Sequence, residues 1–335
     1  MNPQSLPVRN LRSLGCNAKM RAADLLHVIG SQGDFAKLAP DCGKFPFGEG
    51  AFFTIDTVFP ITTSATLFGR LAVLHSLNDL FAKGANATDV CLSYGIDLAN
   101  ASNNTCQSIM AGAESALREL SVRISKAHTY ISDSISLTVA AIGVRKRPER
   151  LMSNGNTYAL ILTKPLGASL GSYLGSVAGS GDLSTSSEMV LSLSHGLLVD
   201  NVRDHCFAGT TDISGFGLIG HLVSLSASER CTISVASSSV PLVSGLLEAS
   251  GLDSTTNCSA ERNKEDFEDG CRWGAACIGV RKTLLCNGET SGPLACIVNA
   301  EFGKEFLSLL HSKGFEHACL IGELIKNGSS QVIIS

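Results

Sequence analysis

The sequence predicts an α+β fold in two domains. Its 335 residues make about two domains at ~150 residues each. Helical and strand-like segments are mixed along the chain without the strict βαβ alternation of a doubly wound sheet. A charged and polar stretch from Arg145 to Asn156, with Pro148 and Gly155, interrupts the apolar patterning near the middle. It divides the chain into residues 21–150 and 151–335, preceded by a flexible segment over 1–20.

Composition narrows the function classes. Apolar residues make up 44% of the chain and there is one Trp, so the core is expected to be built from Leu, Ile, Val and Ala. Net charge is −4 and no Lys/Arg block is long enough to track a phosphate backbone, which argues against direct nucleic-acid binding. Twelve cysteines are scattered with no C-x-x-C pair, and no signal peptide is evident. They are expected to be mostly reduced and buried in a cytoplasmic protein. Arg9, Arg12, Lys19 and Arg21, with no acid before Asp24, leave a transit peptide as the alternative. No apolar run approaches the ~20 residues of a membrane span.

Each element has its own local signal. A short helix is expected from Ala22 to Ile29, stopped by Gly30, then loop over 31–50 and a strand from Ala51 to Ile55 ending at Asp56. The clearest helix runs from Ser64 to Lys83. Leu67, Leu71, Leu74 and Phe81 recur at three-to-four spacing, and Gly84 suits the position after the C-cap. His75, Asn78 and Asp79 share a different, polar face of it, expected to be solvated. Strands follow at Val90 to Tyr94 and Ile135 to Val144, with a helix from Cys106 to Val122 between them.

The second half opens with a strand from Tyr158 to Thr163. Residues 168–187 are rich in Gly and Ser and read as loop, followed by a helix from Met189 to Val199. Asp212 precedes the apolar segment Leu218 to Leu225 and is expected to cap that helix. Then come a strand (Thr232 to Val235), a helix (Leu242 to Ala249) and an acidic loop through 270. Strands are expected at Thr283 to Cys286, Leu294 to Val298, near Cys319 and over 331–334, with a helix from Glu301 to Leu310.

Two sets of residues could carry chemistry. Asp41, Asp56, Asp79 and Asp212 sit at element ends or on a polar helix face. Gathered together they would repel unless divalent cations offset them, and Mg²⁺ shares oxygen ligands with phosphates. Such a cluster suits phosphoryl transfer. Neither common nucleotide loop is present, so any ATP site is of another type. The second set is Cys16 and Lys19, a loop thiol beside a cation that favours its thiolate.

Several segments together resemble selenophosphate synthetase (selenide, water dikinase). Thr211-Asp212-Ile213-Ser214-Gly215-Phe216-Gly217-Leu218-Ile219-Gly220-His221 is similar to that family's T-D-[VI]-T-G-F-G-L-L-G-H. Leu162 to Gly167 resembles its L-T-K-P-L-G. Phe68 to Ala72 with Asn78 to Gly84 resembles its F-G-R-I-A-A-x-N-A-[LI]-S-D helix. Glu261-Arg262-Asn263 and Glu289 to Gly292 echo two further motifs.

The resemblance implies the aminoimidazole ribonucleotide synthetase-like fold, with N-terminal domains forming a shared β-barrel in a homodimer and ATP held in the cleft. It implies that ATP, selenide and water give selenophosphate, AMP and phosphate, with Mg²⁺ required. Cys16 falls on the family's selenium-handling Cys or selenocysteine. Lys19 falls on an essential Lys implied to contact phosphate. Asp56, Asp79 and Asp212, with Asp41 a weaker match, fall on metal-binding aspartates. His128 and Thr129 close the segment similar to its G-G-H-[ST] nucleotide loop.

The departures are as specific. Lys126 and Ala127 replace that loop's two glycines, His75 the helix Asn, Thr62 and Thr63 two acidic residues, Ala18 the second Cys of C-G-C-K, and Pro293 a glycine. Two other expectations therefore stand beside the enzyme. One is a diverged paralogue acting as a binding or regulatory protein, and the other is a relative using ATP on a different small substrate.

Overall fold

The computed structural model describes residues 42–44, 50–99, 101–249, 258–275 and 277–335. Cys16, Lys19, Asp41 and the helix expected over Ala22 to Ile29 lie outside them. The first sheet contains β1 (Gly43–Lys44), β2 (Ala51–Val58), β3 (Asn86–Ile96), β4 (Arg123–Ile131) and β5 (Ser136–Val144), in the order β1-β2-β5-β3-β4. β5 is antiparallel to both β2 and β3, whereas β3 and β4 run parallel. Helices α1 (Ala65–Ala82) and α2 (Asn103–Glu119) share a hydrophobic core with this sheet.

The second sheet begins at β6 (Thr157–Leu162) and has seven strands. The others are β7 (Thr211–Asp212), β8 (Thr232–Val235), β9 (Cys271–Trp273), β10 (Leu294–Asn299), β11 (Cys319–Ile325) and β12 (Gln331–Ile334). Their order is β7-β10-β6-β11-β8-β12-β9. Along β6, Tyr158, Leu160 and Leu162 enter one core and Ala159 and Ile161 another. This sheet is therefore covered on both faces, which is why β6 and β10 are nearly continuous apolar runs. The second half also contains α3 (Ala168–Ala178), α4 (Gly181–Ser192), α5 (Val199–His205), α6 (Gly217–Glu229), α7 (Cys258–Phe267), α8 (Gly279–Cys286) and α9 (Gly303–Ser312).

The strongest local signals place their elements well. Ser64 is the N-cap of α1, its hydroxyl accepting from the Leu67 amide at 3.3 Å. Lys83 is the C-cap, and Gly84 takes a left-handed φ of 62°. Five expected elements differ in the structure. Residues 168–187 are not loop but α3 and most of α4, because Leu170, Leu174, Leu183 and Leu191 bury a shared apolar face that outweighs their Ser/Gly composition. The helix expected from Met189 ends at Ser192, and a 3₁₀ turn at His195–Leu198 leads into α5.

The apolar triplet Leu284, Leu285 and Cys286 belongs to helix α8 and not to a strand. A short buried run has no period that distinguishes the two. Conversely, Leu242 to Ala249 forms turns, while the acidic stretch before 270 includes α7.

Among the described cysteines none is in a disulfide, and seven of the ten are buried. Burial pushes the thiols of Cys231, Cys271 and Cys286 up to about 12. Those three are kept protonated and are poor nucleophiles.

Candidate active site at the domain junction

Helix α1 is the element on which the site is built. It is apolar nearly all round and mostly buried between Ala65 and Ala82, with Thr66 exposed and Leu67, Arg70 and Asp79 partly buried. The face expected to be solvated is closed by the second half of the chain: His75 and Asn78 are each 1% exposed. Thr62, just before the helix, donates to Glu188 at 2.7 Å, and Arg70 donates to the Ser192 carbonyl at 3.3 Å. His75 Nδ1 accepts from the Ser291 amide at 3.1 Å, and Asn78 Nδ2 donates to the Gly292 carbonyl at 3.4 Å. Lys83 Nζ donates to the Thr210 carbonyl at 3.1 Å. The junction is thus stitched along the whole length of α1.

The expected carboxylates lie on three elements. Asp79 is on α1 and accepts from the Thr54 hydroxyl. Asp56 is two residues beyond Thr54 on β2, so it lies on the same face of the strand. Asp212 is 1% exposed in β7, which packs against α1 and pairs with β10 at Leu294. It is not the N-cap of α6; Phe216 occupies that position without a side-chain bond.

The motif glycines after Asp212 pack within their own domain and are not aimed at the cleft. Gly217 has φ 64°, and a Cβ there would lie 2.6 Å from the Cys286 carbonyl oxygen. Asn263 reinforces this contact, donating to the carbonyls of Gly215 at 3.0 Å and Cys286 at 2.8 Å.

His128 and Thr129 stand apart from these carboxylates. They are exposed on β4, an edge strand three positions from β2 and so about 14 Å away at ordinary strand spacing. Lys126 and Ala127 are exposed on the same strand.

Three carboxylates are a hard-oxygen donor set of the kind divalent cations prefer. Among the described residues no group of three or more His, Cys, Asp or Glu is placed to hold a metal ion. Mg²⁺ carried by a nucleotide keeps phosphate and water ligands and needs only one or two protein carboxylates.

The residues that the sequence did not single out form a buried polar layer at the junction. His195 is fully buried, with Nδ1 at 2.9 Å from Asn78 Oδ1 and Nε2 at 2.8 Å from Thr163 Oγ1. Its ring stacks on Phe315. Burial, followed by the charge on Lys164, holds the imidazole well below its ordinary pKa. Lys164 donates to the Ser291 carbonyl at 3.1 Å, and Glu289 accepts from the Gly167 amide at 2.5 Å. Desolvation brings Lys164 down to about 7 and Glu289 up to about 7. Lys164 and Glu289 were visible only as members of motifs, and His195 gave no local signal.

The fold and junction define a class. The chain matches the N-terminal domain of the AIR synthase related proteins over residues 39–145 and their C-terminal domain over 159–335, and it belongs to that family. Within it, the sequence is similar to the selenide, water dikinase of Aliarcobacter butzleri (strain RM4018). The two are 25% identical over 359 aligned positions covering 100% of each chain. Among solved structures it is similar to thiamine monophosphate kinase from Aquifex aeolicus, with a TM-score of 0.66, 15% identity and coverage of 93% of this chain and 94% of that one. It is also similar to hydrogenase maturation protein HypE in complex with ATP, with a TM-score of 0.58, 18% identity and coverage of 95% and 92%.

Proposed function

We propose that this protein is a selenide, water dikinase that uses ATP, selenide and water to make selenophosphate, AMP and phosphate. The observation that carries this reading is the delivery of Asp212 by β7 to the helix that bears Asp79. Full-length similarity to selenide, water dikinases supports the substrate assignment.

Asp56, Asp79 and Asp212, with Asp41, would hold nucleotide-borne Mg²⁺, which when bound neutralises phosphate oxygen charge. Lys19 would contact the transferred phosphoryl group and offset its developing negative charge. Cys16 would hold or deliver the selenium as its thiolate. The closed face of α1 keeps water from the floor of the site.

A homodimer is supported by the outer face of the first sheet. Phe53, Ile55, Ile142 and Val144 are exposed there, and Phe53 pairs in register with Ile142. β1 and β4 stand at the sheet's two edges. Pairing two copies would cover this apolar face in a shared β-barrel. His128 and Thr129, on the edge strand, would then serve the nucleotide through the assembled dimer and not within one chain.

The direct experiment is selenide-dependent formation of AMP from ATP by the purified protein. A folded dimer that makes no AMP would favour the second reading, a paralogue with altered activity. That reading draws on Lys126 and Ala127, whose side chains occupy two positions that are glycines in the resembled motif.

A further inference from the structure

His75, a departure from the resembled helix motif, and Asn78, one turn further along α1, both reach the same turn of the second domain. His75 accepts from the Ser291 amide and Asn78 donates to the Gly292 carbonyl. The turn continues into Pro293, whose carbonyl accepts from the Ile213 amide at 2.8 Å, and into Leu294, the register partner of Asp212.

A second route runs from the same helix. Thr163 Oγ1 accepts from the Leu294 amide at 2.8 Å, so its own hydrogen is available to His195 Nε2. His195 Nδ1–H then donates to Asn78 Oδ1, leaving the Asn78 amide to donate to Gly292. With the neutral Nδ1–H tautomer, this assignment satisfies each bond in the chain without conflict. Leu294, the register partner of Asp212, and Pro293, which bonds Ile213, are therefore both linked to α1 through His75 and Asn78, on the same stretch of helix as Asp79.

We infer that His75 and Asn78 are positioning residues, a clasp that fixes Asp212 against Asp79 across the domain junction. Neither is placed to touch nucleotide or metal; each acts through the 291–294 turn. Gly292 fits this role, because a Cβ there would lie 2.1 Å from the Ile213 carbonyl oxygen. The turn and the residue after Asp212 are in contact, so displacement of one moves the other. The inference rests on the reading of Asp212 and Asp79 as carboxylates of the Mg·ATP site.

The test is Mg²⁺-dependent binding of a non-hydrolysable ATP analogue to the full-length protein, followed by calorimetry alongside thermal unfolding. H75L removes the acceptor, while H75N keeps a side-chain acceptor near the same point. The half-saturating Mg²⁺ concentration should rise at least ~5-fold in H75L and stay within ~2-fold in H75N, by the tenfold-per-1.4 kcal/mol scale. In a D212N background H75L should add less than ~2-fold, since its effect passes through that carboxylate. N78S gives the same cycle if H75L does not fold.

Unchanged Mg²⁺ dependence in folded H75L and N78S, or an equal loss with and without Asp212, overturns the clasp. If D212N by itself leaves Mg²⁺ dependence unaltered, the carboxylate reading fails first. The two failures are thereby told apart.

Discussion

Lys83 Nζ lies 3.1 Å from the Thr210 carbonyl oxygen, so the C-cap of α1 holds the chain two residues ahead of Asp212. A charge-assisted bond of this kind contributes about 1.5–3 kcal/mol. K83M should lower stability by that order and leave the fold intact. Urea denaturation followed by far-UV circular dichroism reads the shift in midpoint.

Asp212 is buried in a two-residue strand whose place is set by pairing with β10. D212N keeps the shape and removes the charge. Mg²⁺ and nucleotide affinity should fall by at least tenfold, while the thermal midpoint is retained or raised because a buried charge has been removed. Calorimetric titration with Mg²⁺ and an ATP analogue decides it. Wild-type affinity in D212N would remove Asp212 from the site.

If Cys16 handles the selenium, C16A should abolish selenide-dependent AMP formation and leave Mg·ATP binding within about twofold of wild type. Turnover equal to the parent would exclude the thiol. The contrast with D212N separates loss of chemistry from loss of binding.

Glu289 and Lys164 give the protein a signature in pH. Burial raises Glu289 from 4.5 to about 7, so the folded state retains a proton that the unfolded chain releases. Its contribution is fully present below pH 4.5 and is lost as pH rises to about 7. Burial lowers Lys164 from 10.5 to about 7, so its contribution is present above 10.5 and is lost as pH falls to about 7. The two limbs place a minimum near neutrality. E289Q should flatten the limb between pH 4.5 and 7 and leave the alkaline limb. Thermal midpoints across pH 5–10 measure both.

Gly217 is required by backbone geometry. Its φ is 64°, and an added Cβ would meet the Cys286 carbonyl oxygen at 2.6 Å. Left-handed strain alone costs about 1–2 kcal/mol for an L side chain, and the contact adds to it. G217A should therefore destabilise by more than ~2 kcal/mol in chemical denaturation.

Much of this architecture was legible in the residues themselves. The limits of α1, set by Ser64 and Gly84, follow from caps and periodicity. The strand at Thr232–Val235 stands out by its polar–apolar alternation and that at Leu294–Asn299 as a short apolar run. The motif around Asp212 marked the stretch on which the proposed site rests. These signals survive because they depend on neighbours a few residues away. Local composition misled where packing overrode it, as in α3 and α4, whose Ser/Gly-rich sequence buries a leucine face.

The sequence by itself determined which carboxylates to watch and the helix on which one of them stands. Only the tertiary structure decided what surrounds them. His75 meets Ser291 across 216 positions and Asn78 meets Gly292 across 214, so no local pattern could announce either contact. A polar helix face is solvated or enclosed according to what the rest of the chain brings against it. Here the second domain encloses it, and buried polar groups must then find partners within the protein.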